Sequence, residues 1–297
     1  MLAPGRSSKA ESPSSQGCFL ELEKDEYVEQ AYFFRMIRDR LDQGLSTQEI
    51  LGSLDQELLS TTRLPMAVQF LKTELRHTGH LSKGFDRLAH YFTPFQAHVV
   101  RSAENDKLKF SLTNALAVLQ KEAEYRSGTP TVSGLFVYHF EVLARNRLGY
   151  DDGLKAMSQD WFYPPDWQRF LSDARHQLGI IEFADLIYLR SEWYLKEQRR
   201  TYPDYEPSLP SLFGEKEGKI AKANRSRDPL YLFSALQRQL GYPEVPRSSD
   251  EVKEQTLLQQ LQLRIRDLEG KVRLLEAENR EQVDLTKLAR PEFLGDD

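Results

Sequence analysis

The stretch AYFFRMIRDRLDQGLSTQEILGSLDQ, residues 31–56, carries the pattern that governs the chain: apolar residues at helical spacing, a glycine stop and a serine restart. Ala31, Phe34, Ile37, Arg38 and Leu41 trace one helical face, with Arg35, Asp39 and Asp42 largely off it. Gly44 offers the left-handed conformation that closes a helix. Ser46 with Glu49 forms a capping box for a second helix that buries Ile50, Leu51, Leu54 and Leu58. Strict apolar-polar alternation is never sustained and β-branched residues are scattered, so strand signals are almost absent. The expected fold class is all-α.

The same punctuation yields six helices in the first section. Pro65 opens a helix through Val68, Leu71 and Leu75 that ends at Gly79. Ser82 starts a short helix with Phe85, Leu88, Ala89 and Phe92, and Thr93-Pro94 caps the next, which buries Phe95, His98 and Val99. A last helix near 107–126 carries Leu108, Leu112, Leu116 and Leu119. The expected organisation is a disordered leader (1–19), a six-helix bundle (20–127), a second helical domain (128–246), a coiled-coil segment (250–290) and a tail (291–297).

Composition excludes several classes. A formal net charge of -5, from 40 Lys plus Arg against 45 Asp plus Glu, gives no global pull toward nucleic acid or anionic lipid. Cys18 is the only cysteine, which rules out an intrachain disulfide framework and a cysteine-rich zinc site and fits a reducing, cytoplasmic compartment. The best apolar run, GLFVYHFEVLA, is interrupted by His139 and Glu141 and falls short of the roughly 18–20 residues of a membrane span, so a soluble protein is expected. No phosphate loop, nucleophile elbow or zinc-protease helix is present, and Thr78-Gly79 separates His77 from His80. No catalytic residue and no cofactor are assigned.

The middle section repeats one ending: ARNRLGYDDG, ARHQLGIIEF and LQRQLGYPEV. Gly149, Gly179 and Gly241 are expected at left-handed caps, with Tyr150, Ile180 and Tyr242 folding back on the helix. The repetition records either duplication or reuse of one good cap. In DWFYPPDWQRF, Trp161, Phe162, Tyr163 and Trp167 could wall a small-molecule pocket; the alternative is the core of a helix junction. IIEFADLIYLRSEWYLKEQRR reads as one helix burying Phe183 and Ile187, with Tyr194 a further candidate for the same face. Lys216, Lys219, Lys222, Arg225 and Arg227 could meet an acidic partner surface or could form a solvated helix face.

The C-terminal segment keeps heptads. Leu258, Ile265, Val272, Asn279 and Thr286 fall at a, and Leu261, Leu268, Leu275 and Gln282 at d. β-branched a residues with leucine at d favour a parallel dimer, and Asn279 would fix its register. Arg264 would face Glu269 of the partner helix, and Lys271 would face Glu276. The alternative is a lone amphipathic helix docked on its own chain. A DNA-binding basic zipper is excluded, because LGYPEVPRSSDEVKEQT supplies prolines and acids where that class needs a continuous basic helix.

FFRMIRDRLDQGLSTQEIL, TGHLSKGFDRLAHYFTPF and VVRSAENDKLKFSLTNALAVLQKEAEYR together resemble the cytoplasmic F domain of type II secretion and type IV pilus inner-membrane platform proteins of bacteria. The match rests on Gly44-Leu45-Ser46, on Gly79, Leu81 and Ser82, and on Phe92 and Phe95. In SAENDKLKF, Ala103 replaces a family glycine, Glu104 keeps the carboxylate, and Asp106 or Lys107 stands where a second glycine belongs. The resemblance covers about residues 30–127. It implies a six-helix bundle without catalysis, docked on an apparatus ATPase or platform protein and so peripheral to the inner membrane. Family members continue into transmembrane helices and usually a second copy, neither of which is found in these residues. Docking is therefore the part of the role that carries over. The resemblance also implies Glu104, with Asp106, as a cation site; the alternative is a carboxylate stabilising a helix start.

Overall fold

The computed structural model describes residues 22–54, 57–247 and, near the C-terminus, 261, 262, 264–266 and 268–272. The described residues of the chain are all-helical, with two isolated bridges, Leu178 to Ile181 and Ser191 to Phe213, as the β-type pairing. The first helices are α1 (Lys24–Asp42), α2 (Thr47–Leu54), α3 (Leu64–Thr78), α4 (Leu81–Arg87), α5 (Pro94–Ala103) and α6 (Leu112–Ser127). Then come α7 (Val132–Asn146), α8 (Tyr150–Ser158), α9 (Pro165–Gln177), α10 (Phe183–Leu189), α11 (Glu192–Thr201), α12 (Glu215–Ala223) and α13 (Pro229–Leu240). None of the described helices is long and apolar enough to cross a membrane.

Local chemistry sets the helix ends. Gly44 adopts φ 87° beyond α1, and its N–H donates to the Leu41 carbonyl at 2.9 Å. Ser46 and Glu49 exchange the two bonds of a capping box, at 3.0 and 3.3 Å. Thr93 and Gln96 do the same for α5, at 3.1 and 3.2 Å. The helix placed near 107–126 starts instead at Leu112, because Ser111 accepts the Asn114 N–H and caps it there. The single helix expected over residues 180–200 is two, since Ser191 caps a fresh start at α11.

The chain divides into two compact units, one through Pro246 and one from Arg247 onward. The boundary expected at 127/128 therefore lies inside a unit. The reason is α7, whose residues Gly134–Leu143 are all buried. A helix buried around its whole circumference needs neighbours on every side. Phe95 of α5 stacks on His139 with centroids 3.7 Å apart, Tyr138 donates to the Val118 carbonyl at 2.8 Å, and α5 packs on α8. One core thus runs through both halves.

In the second unit, the described residues between 261 and 272 are helical. The leader, the tail, Cys18, Leu258, Leu275 and Asn279 lie outside the described residues.

Candidate functional site

Two copies of Ala-Arg-x-x-Leu-Gly, residues 144–149 and 174–179, end α7 and α9. Both open onto the same cavity of about 670 Å³, a size typical of small-molecule sites. Phe140, Tyr150, Phe183 and Phe233 form its aromatic wall. Phe140 and Phe183 stack nearly parallel at 3.8 Å, and Tyr150 stacks on Phe140 at 5.3 Å. Phe140 and Phe233 are buried, whereas Tyr150 and Leu230 are exposed at the mouth.

The polar rim is made by Arg145, Arg175, Asp151 and Asp228. Arg145 Nε donates to Glu141 Oε1 at 2.5 Å, and the other oxygen of Glu141 accepts from the Tyr242 hydroxyl at 2.7 Å. Arg175 grips Asp151 through Nε and Nη2, and this pairing lowers the Asp151 pKa and raises that of Arg175. Asp228 Oδ1 accepts the Leu230 N–H at the start of α13, at 2.9 Å.

The expected caps are realised in part. Gly241 takes the left-handed conformation and Tyr242 is buried behind it. Gly149 and Gly179 also have positive φ, 82° and 94°, but the left-handed residue that caps α7 is Arg147, with φ 54°, two residues before Gly149. Ile180 is 84% exposed and does not fold back; α9 ends in an extended Leu178, which directs the chain outward.

The aromatic junction joins the core. Trp167 packs on Phe213 at 5.1 Å and Phe136 at 5.3 Å, and Tyr163 is buried, while Trp161 and Phe162 are half-buried. A cavity of about 620 Å³ also borders this junction, lined by Trp161, Tyr163, Pro164 and Pro165, but the cavity at the ends of α7 and α9 has the fuller aromatic wall.

Four heptad residues are described: Leu261, Ile265, Leu268 and Val272 are 50%, 54%, 53% and 51% exposed. Gly270, on the same helix, has open space where a Cβ would stand.

Glu104 spans two elements. It ends α5, and its carboxylate accepts the backbone N–H groups of Leu81 and Ser82 and the Ser82 hydroxyl. It thereby caps α4, whose own N-cap residue, His80, supplies no side-chain bond. Asp106 is exposed, and no cluster of three metal-ligating side chains forms among the described residues.

The basic segment is largely paired. Lys222 Nζ meets Glu197 at 2.6 Å, and Arg225 lies 2.5 Å from Asp185 and 4.0 Å from the Tyr188 ring centroid. The Arg225–Asp185 contact is an ion pair without hydrogen-bond geometry. Lys219 sits over Trp193 at 4.3 Å. Lys216 and Arg227 are exposed.

A buried polar cluster was invisible in the sequence. Arg126 bonds Glu122 at 2.9 Å and also reaches Asp160. His139 Nε2 lies 3.0 Å from Glu122, and its Nδ1 lies 3.0 Å from the Tyr163 hydroxyl. Burial pushes the Tyr163 pKa up, so its hydroxyl donates to Nδ1 and the other imidazole nitrogen donates to Glu122. Burial lowers the His139 pKa, and Glu122 opposes that effect. Burial also raises Glu122, yet Arg126 and His139 outweigh it and hold the carboxyl below its ordinary value. Glu122, His139 and Asp160 are 0% exposed, so these acid-base groups brace α6, α7 and the α8–α9 connection and have no surface on which to meet a substrate.

No protein-family model, curated protein or solved structure matches this chain.

Proposed function

We propose that this protein is a non-catalytic, dimeric interaction protein, paired in parallel through the heptads of residues 250–290. The observation that carries the reading is the exposure of Leu261, Ile265, Leu268 and Val272, each about half uncovered on a single chain at strict a and d spacing. A stripe of this kind gains by removing its apolar area from water against an identical stripe. The six helices within residues 24–127 then serve as an F-domain-like docking body. A secretion or pilus component, such as the ATPase or platform protein, is the partner class. Glu104 supports that extension, because the one carboxylate retained in the divergent AEN segment bonds to the Gly79–Ser82 turn, on which the resemblance rests. A general dimeric scaffold with another client is the second reading; it shares the stripe and drops the partner class.

Sedimentation equilibrium of the full chain tests the pairing. The wild type is expected to be a dimer and Ile265→Glu/Leu268→Glu a folded monomer. A variant that remains fully dimeric, or a monomeric wild type at high concentration, overturns it. With the dimer intact, a pull-down that recovers no secretion or pilus component decides for the scaffold.

A further inference from the structure

We propose that the cavity between the ends of α7 and α9 is a binding site for a small organic acid with a flat, apolar body. The apolar part of the inference rests on shape. Phe140, Phe183 and Phe233 form a preassembled wall, with Phe183 and Phe233 centroids 5.5 Å apart, and Tyr150 and Leu230 stand exposed at the opening. Exposed large apolar side chains around a pocket of about 670 Å³ gain by covering a ring-sized ligand.

The acidic head follows from the donors left over. Arg145 spends Nε on Glu141, and its two terminal nitrogens make no hydrogen bond among the described residues. Arg175 spends Nε and Nη2 on Asp151 and keeps Nη1. The acceptors are more fully used: both Asp151 oxygens hold Arg175, and Asp228 Oδ1 holds the Leu230 N–H. With Glu141 counted beside Asp151 and Asp228, the carboxylates outnumber the two arginines by one charge, so the net field of the site does not itself attract an anion. Recognition would come from directed, charge-assisted bonds to a carboxylate at the rim. Arg145 and Arg175 hold equivalent sequence places in the two Ala-Arg-x-x-Leu-Gly endings and line the same cavity, although the two endings differ in backbone conformation.

The probe is 4-phenylbutyrate, titrated calorimetrically into the full chain beside its amide, 4-phenylbutyramide. The acid is expected to bind, and the amide to bind more weakly by about tenfold or more, the factor carried by a charged hydrogen bond. Arg145→Lys keeps a cation beside Glu141 while removing the guanidinium fork, and should weaken the acid by a similar factor. Ala144→Phe places a ring in the cavity and should abolish binding, with circular dichroism verifying the fold. Failure of the acid to bind at millimolar concentration overturns the site. So does equal binding of acid and amide, or binding unchanged in both variants. The Ile265→Glu/Leu268→Glu monomer retains the cavity residues and should bind as the wild type does, which separates this result from the dimer.

Discussion

Arg126→Met tests whether the sealed cluster holds the fold together. Arg126 and its carboxylate partners, Glu122 and Asp160, have side chains 1% and 0% exposed, so the variant leaves two buried carboxylates without their cation. It also loses the guanidinium contact with the Phe162 ring at 5.3 Å. Breaking a buried pair from one side costs about 3–5 kcal/mol, whereas removal of an exposed cation such as Lys121, paired with Glu124 at the surface, costs about 0–1 kcal/mol. The pH dependence adds a second signature. In the wild type Glu122 is depressed, so its contribution is present above the ordinary carboxylate value of 4.5 and lost as pH falls through the folded pKa. Without Arg126, burial governs and raises the folded pKa; the penalty is then largest at neutral pH and shrinks as Glu122 takes up a proton. Urea unfolding followed by tryptophan fluorescence, at neutral pH and near pH 5, measures both effects. A loss below about 1 kcal/mol at neutral pH, or one that does not shrink on acidification, refutes the reasoning.

Three further outcomes follow from particular contacts. Glu104→Ala removes the remote cap of α4 and should cost about 1–2 kcal/mol in urea unfolding. Gly218→Ala places a methyl 2.6 Å from Ser191 Cβ and 2.8 Å from Trp193 Cβ; overpacking of about 1–3 kcal/mol should outweigh the helix-propensity gain and lower the melting temperature. His139 has a folded pKa below its ordinary 6.5, so stability should be full above that value and fall as pH drops toward the folded pKa. Unfolding titrations should find part of that slope missing in His139→Gln.

What the sequence determined by itself is the helical inventory and most of its ends. Ser46 with Glu49, Thr93 with Pro94, Gly79 and Gly241 were legible because each cap is made by groups within a few residues of one another. The misreadings were also local. Ser111 and Ser191 reset helix starts, and Arg147 took a left-handed place expected of glycine. Tertiary structure alone decided which ends meet. Tyr242 reaches Glu141 across 101 residues, Arg126 reaches Asp160 across 34, and Glu104 caps a helix that begins 23 residues earlier. The Ala-Arg-x-x-Leu-Gly repeat was visible as a cap, but its arginines acquire a shared cavity only once the ends of α7 and α9 come to line the same space. Hydrophobic burial is non-directional, so periodicity states that α7 must be enclosed and leaves the enclosing helices, and the polar groups trapped with them, to the packing of the whole chain.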